Sequence, residues 1–235
     1  MGIRDIVATR WGRPAARAMQ ALNARHPWNH NDHFHSWILH ELPPRRRAAL
    51  DVGCGQGGLL LELAPWFDAV TGIDRDPGML AAADRRTAHV ENIEVGDAPL
   101  EELDGPYDLI TMVAVLHHLD LEEALAQVRR LLAPGGRFLS VGLAPPVTTR
   151  DHLWDVASMV TNPLIGKIKH PWRPPREIGE ATGAAAQMPI ADPTLPLDEM
   201  VARAQAVMPG LRAERHLGFR HTLAWTKPGP VTSRA

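Results

Sequence analysis

The residues of this chain best suited to chemistry gather in four short stretches, each ending an apolar run. The first is Gly53-Cys54-Gly55-Gln56-Gly57-Gly58, behind the run 48–52. Glycines at a strand-to-helix turn let the backbone approach a ligand closely, and the helix start offers N–H donors without intrahelical partners. Asp51 stands two residues before the first of them. A carboxylate there would repel a pyrophosphate and attract an ammonium group. The second stretch ends in Asp74, about 20 residues on, where an acid can hold both hydroxyls of a ribose. The third is Gly96-Asp97-Ala98, which sets a carboxylate where it can accept from an exocyclic amino group. The fourth is His117-His118, two imidazoles that titrate near pH 6.5 and so can take a proton at neutral pH.

The elements that must hold these groups are legible as a rhythm. Short apolar runs at 48–52, 69–73, 93–95, 108–115 and 137–143 alternate with helical patterns at 59–64, 77–86 and 121–132. Such alternation predicts a parallel sheet with crossover helices. Pro134-Gly135-Gly136 reads as the stop signal of the third helix. A further helix is expected at 197–207, and 211–217 with 219–226 reads as a closing antiparallel pair around Gly218. Residues 1–47 read as a helical, polar lid that Pro43-Pro44 ends, because neither ring nitrogen can donate a helix hydrogen bond.

Composition narrows the classes of partner. The 235 residues carry a net charge of −2 and are 45% apolar, which fits one globular domain and supplies no basic field to draw nucleic acid or an anionic membrane. One cysteine, Cys54, excludes an intramolecular disulfide and suits a cytoplasmic setting. No apolar run approaches the roughly 20 residues that cross a bilayer. His30, His33 and His35 tempt a metal reading, but no acidic or thiolate cluster completes a ligand set, so no metal is expected. The patch from Lys167 to Arg176 around Trp172 could hold an anionic acceptor or stack a base, though its charge is modest.

Ala49-Leu-Asp-Val-Gly-Cys-Gly-Gln-Gly-Gly58, Gly72-Ile-Asp74, Gly96-Asp97, Tyr107-Asp108-Leu109 and Leu132-Ala-Pro-Gly-Gly136 together resemble the successive motifs of class I S-adenosylmethionine-dependent methyltransferases, in order and at matching spacing. The resemblance covers about residues 47–143, and more loosely the final pair. It implies a doubly wound, Rossmann-like α/β domain with a seven-stranded sheet whose last strand is antiparallel. It implies that Asp51, Gly53, Cys54 and Gly55 surround the methionine part of S-adenosylmethionine, Asp74 the ribose, and Gly96, Asp97 and Ala98 the adenine. Arg75 and Met79 would pack on the adenine faces, and Val115 and His30 would complete the cofactor site. His118, with His117 beside it, falls where the methyl-transfer pocket is lined, and Cys54 becomes packed support rather than a nucleophile.

The expected activity is in-line transfer of a methyl group from S-adenosylmethionine to an oxygen or nitrogen of a small molecule, with S-adenosylhomocysteine as product. Four tryptophans, Trp28, Trp37, Trp154 and Trp172, lie outside the motif-bearing core, which favours an aromatic or partly apolar acceptor of the kind met in secondary metabolism. Trp28, His35, Trp154 and Trp172 are the acceptor contacts expected. Residues 145–196 break the rhythm and read as an insertion capping the acceptor, within one domain that continues to a last helix and strand pair at 197–227. A monomer or homodimer is expected. Two other readings share much of the pattern. A nicotinamide oxidoreductase would use the glycine loop and Asp74, and a sensor or cyclase could bind the same cofactor without methyl transfer.

Overall fold

The computed structural model describes residues 30–143, 195–216 and 220–229. All of these except His30 belong to one compact unit. In chain order the elements are α1 (His30–His40), β1 (Ala48–Val52), α2 (Gly58–Leu63), β2 (Ala69–Ile73), α3 (Pro77–Thr87), β3 (Ile93–Gly96), β4 (Tyr107–Val113), α4 (Leu121–Leu131), β5 (Leu132–Leu143), α5 (Leu197–Val207), β6 (Arg212–Arg215) and β7 (Arg220–Thr226).

The strands form one sheet in the order β3-β2-β1-β4-β5-β7-β6. Strands β1 to β5 are mutually parallel, β7 runs antiparallel to β5, and β6 runs antiparallel to β7. Successive strands step outward from β1 to β3, then return to the other side of β1 at β4. That reversal opens a crevice beyond the carboxyl ends of β1 and β4, the place where open α/β sheets bind ligands.

Strands buried on both faces need apolar residues at nearly every position. In β4, Tyr-Asp-Leu-Ile-Thr-Met-Val, six of the seven residues are buried. The two exceptions to apolarity are held by partners. Asp108 accepts from Arg45 Nε at 2.5 Å and from the Arg47 backbone N–H at 2.7 Å. Thr111 faces Asp51 across the β1–β4 pairing.

Each sheet face has its own core. One is built from Leu50, Ile110, Met112, Phe138 and Leu223 with the inner faces of α4 and α5. The other joins Ala49, Val70, Leu109, Leu139 and Val141 to α1 and α2 through Phe34, Ile38, Leu60 and Leu63. In α4, Leu121, Ala124, Leu125, Val128 and Leu131 are buried at the spacing of a single helix stripe, and Asp120 caps its start by accepting from the Glu123 N–H. Asp76 caps α3 in the same way through Met79.

One expectation is corrected. Pro134-Gly135-Gly136 does not separate α4 from a strand beginning at Arg137. The strand starts at Leu132, the residue that caps α4, and runs through the proline and both glycines. The pairing with β4 shifts register between Tyr107 and Leu109, leaving this stretch to bulge, with Gly135 at φ +78°. Its backbone is satisfied from β7's extension: Gly135 N–H donates to Lys227 O, and Lys227 N–H to Gly136 O. The sequence showed the glycines but not this partner, about 90 residues away. Among the described residues, no helix is long and apolar enough to cross a membrane.

Candidate functional site: the crevice above β1, β2 and β4

Asp51 is the fourth residue of β1 and only 3% exposed. It points to the α1–α2 face, where the Thr111 hydroxyl donates to Oδ1 at 2.7 Å. Burial pushes this carboxyl up to about 7, against the pull of Thr111 and of nearby His35, with a further push from Asp74. It is thus a buried acid poised to ionise when a positive charge arrives.

Beyond Asp51 the chain turns sharply. Gly53 has φ +72°, and a Cβ on it would lie 2.2 Å from Val115 Cγ2, so the loop after β4 can close against β1 only over a glycine. Gly53 and Cys54 both donate their backbone N–H to Ile73 O. Gly55, at φ +53°, is different, since a Cβ there would meet nothing within 4 Å. The same is true of Gly96 at the end of β3. These two backbones face open space beside the carboxylates.

Asp74 follows β2 and binds the loop directly. Gly55 N–H donates to its Oδ2 at 2.8 Å, and Asp76 N–H to its Oδ1 at 3.0 Å. Two backbone donors fix the carboxylate and leave lone pairs for hydroxyl donors. Cys54 is buried, its sulfur against the position where Gly72 would carry a Cβ, and burial pushes its thiol up to about 12. That excludes a thiolate nucleophile at neutral pH. Met79 is buried in the first turn of α3, while Arg75 and Asp97 are exposed and Ala98 half-buried at the rim.

After β4, Leu116–His118 forms a short 3-10 turn. The His117 and His118 rings lie 4.0 Å apart, with His118 exposed and His117 half-buried. Desolvation, then the neighbouring charges of His118 and Arg220, holds His117 below the usual imidazole range, and its buried Nδ1 has no hydrogen-bond partner.

His35 is buried on α1, with Nδ1 2.9 Å from Glu62 Oε1 of α2 and its ring near Gly58. Its surroundings are therefore the glycine loop and Asp51. His30 opens α1. Trp28, Trp154 and Trp172, with the stretch 145–194, lie outside the described residues. Among those described, no group of three His, Cys, Asp or Glu side chains could hold a metal ion.

Four contributors escaped the sequence. Thr111 was predictable in principle, since its partner Asp51 follows once β1 and β4 are known to pair. Glu62 and the β7 residues Arg220 and His221 gave no signal, because Glu62 meets His35 only through helix packing and the β7 pair is placed only by the folded sheet.

Residues 50–138 match the family model of a methyltransferase domain. An uncharacterized methyltransferase of Mycobacterium bovis is 29% identical over 205 residues, spanning 86% of this chain and 98% of its own. The fold recurs in a SAM-dependent methyltransferase from Aquifex aeolicus, with TM-score 0.52, 17% identity and coverage of 82% and 88% of the two chains. It recurs too in an N-methyltransferase from Bradyrhizobium japonicum, with TM-score 0.54, 16% identity and coverage of 85% and 98%. Sheet order, motif series and the methyltransferase-domain match over residues 50–138 converge in support of a class I S-adenosylmethionine-dependent methyltransferase. It is an enzyme, its cofactor is S-adenosylmethionine, and the nicotinamide alternative falls away.

Proposed function

We propose that this enzyme methylates an oxygen or nitrogen of a small, aromatic or partly apolar acceptor. The observation that carries the cofactor half of the site is Asp51, a carboxyl buried at the crevice whose ordinary charge is suppressed by burial. A ligand bearing an ammonium group next to it regains that charge as attraction; a pyrophosphate would not.

The described residues fit the cofactor. Gly55 and Gly96 leave the approach open where a side chain would fill it, and Asp74 is already oriented by the loop it bonds. Asp51, Gly53, Cys54 and Gly55 take the methionine part, Asp74 the ribose, and Gly96, Asp97 and Ala98 the adenine, with Arg75 and Met79 beside it. Val115 supports the loop through Gly53, and His30 stays assigned to the cofactor side. We move His35 there as well, as support for Asp51 and Glu62 rather than an acceptor contact.

When bound, S-adenosylmethionine supplies an electrophilic methyl on a sulfonium centre. The chain's own task is to align the nucleophile and exclude water. His118, exposed at the crevice, is the side chain best placed to take a proton from the acceptor, with His117 held neutral behind it. Trp28, Trp154 and Trp172 are assigned to the acceptor, whose cap we place in 145–196.

The test is turnover with methyl-labelled S-adenosylmethionine and a panel of phenols and amines, the products read by mass spectrometry. As proton acceptor, His118→Ala lowers kcat by about 10²–10⁴ and leaves S-adenosylhomocysteine affinity unchanged. Near-normal kcat across pH reduces His118 to packing. Cofactor binding without label transfer to any acceptor favours a sensor or cyclase.

A further inference from the structure

The carboxyl end of β5 carries a second cluster of polar groups that cofactor binding does not use. Its centre is His221 on β7, which is 1% exposed and has both Nδ1 and Nε2 buried without a hydrogen-bond partner. The imidazole lies over Gly142, where an added Cβ would sit 2.4 Å from its ring. Gly142 and His221 are register partners, as are Leu143 and Arg220. Arg220 Nη1 is likewise buried without a partner, and so are His117 Nδ1 and Ser140 Oγ.

The charges around this cluster share one sign. His221 feels Arg220, His117, His216 and Arg215, and His117 feels His118 and Arg220. Among the described residues, no carboxylate bonds or faces Arg220. Among the described residues, a guanidinium N–H and neutral imidazoles are buried in one region with no acid among them, and these donors have no partner. Buried donors in native proteins are almost always paired, with a ligand or water where the protein supplies nothing. Burial of His221 holds it down to about 4 and so uncharged; of the guanidinium groups it feels, Arg215 is ion-paired with Asp198, and Arg220 has no carboxylate partner among the described residues. One guanidinium with neutral donors around it matches a monoanion, and a planar carboxylate accepts from such a fork.

We propose that Arg220, His221 and His117 bind a carboxylate group on the methyl acceptor. This rests on the assignment of the crevice as the methyl-transfer site. The cluster stands at the carboxyl end of β5 and β7's start, and its His117 lies in the turn after β4, the strand beside β1 and its glycine loop, so the carboxylate anchors the acceptor while another part of it faces the cofactor.

The experiment uses the full chain saturated with S-adenosylhomocysteine and paired probes of one skeleton, benzoate with benzamide and indole-3-acetate with indole-3-acetamide, titrated by calorimetry. In at least one pair the acid binds tenfold or more tightly than its amide. Arg220→Gln weakens the acid by about ten- to hundredfold, as loss of a charge-assisted hydrogen bond does, while S-adenosylhomocysteine affinity holds. Arg220→Lys, which keeps the charge, recovers part of the loss. His221→Phe fills the same space over Gly142, so it raises Tm while erasing the acid preference. Equal binding of acids and amides in both pairs overturns the proposal, as does an Arg220→Gln protein that binds acids like the wild type. Failure of S-adenosylhomocysteine itself to bind would instead strike the methyl-transfer reading beneath it.

Discussion

At Asp51 the chain keeps a carboxylic acid where water cannot reach it, and the consequence is a pH dependence of definite sign. Its folded value near 7 lies far above the usual carboxylate range. Between about pH 4 and 7 the unfolded chain has lost this proton while the folded one keeps it, so folded stability falls as pH rises, by up to about 1.4 kcal/mol per unit. Chemical denaturation of the cofactor-free protein across that window measures the slope. Asp51→Asn flattens it, because the amide cannot ionise. Cofactor affinity moves the other way, tightening from pH 6 to 8 as the carboxylate becomes available to an ammonium group. Thr111, His35 and Asp74 are the groups that modulate this, and Thr111→Val raises the apparent pKa further by removing the hydroxyl that donates to Oδ1. At this scale the acids were legible because each stands at the end of an apolar run. Their environment was not, since Thr111 and His35 lie 60 and 16 positions away in sequence and reach Asp51 only through sheet pairing and helix packing.

The glycine loop separates two uses of one residue type. Gly53 is needed by the protein itself, because Val115 packs where its Cβ would be. Gly55 is needed for what approaches, because open space lies where its Cβ would be. Gly53→Ala therefore lowers stability more than Gly55→Ala. The latter costs about 1–2 kcal/mol for its left-handed backbone and additionally weakens S-adenosylhomocysteine. Thermal melts paired with calorimetry distinguish the two, and equal losses of stability with intact affinity in both would contradict the division. Helices α2 to α5 and the first three strands were legible to within a residue or two, since buried parallel strands and one-sided helices leave unambiguous periodicities, whereas α1 runs back through the histidine-rich stretch that gave no such period. The start of β5 was not. Proline and two glycines normally end elements, and here Lys227 on the far side of the sheet recruits them into one. The orientation of β7 was foreseen, but its register was not, and register decides that His221 lies over Gly142 on the core face.

On the scale of the whole molecule, a sheet with a cofactor crevice at its switch point needs segments that cover the crevice, and two candidates flank it in sequence, 1–47 and 145–196. Of the first, residues 30–47 are described, with α1 packed by Phe34 and Ile38 onto the same core as the glycine loop. A closing lid would give residues 30–40 slower amide exchange when S-adenosylhomocysteine binds, and unchanged exchange there would remove the lid role. If the second segment caps the acceptor, Trp154→Ala and Trp172→Ala raise acceptor KM while cofactor affinity persists. Acceptor chemistry was the least legible layer in the sequence, because a motif series fixes what every member of a family shares and says nothing of what distinguishes one.

The cofactor site is tested most directly by calorimetric titration of S-adenosylhomocysteine into wild-type protein and Asp74→Ala. Asp74 is held by two backbone donors that aim it at the crevice. The wild type binds one equivalent, and the variant, still folded, binds about ten- to hundredfold more weakly, equivalent to about 1.5–3 kcal/mol for a lost charge-assisted pair. A folded wild-type protein that takes up no S-adenosylhomocysteine, or a variant that binds it as the wild type does, would contradict the placement of the cofactor at this crevice.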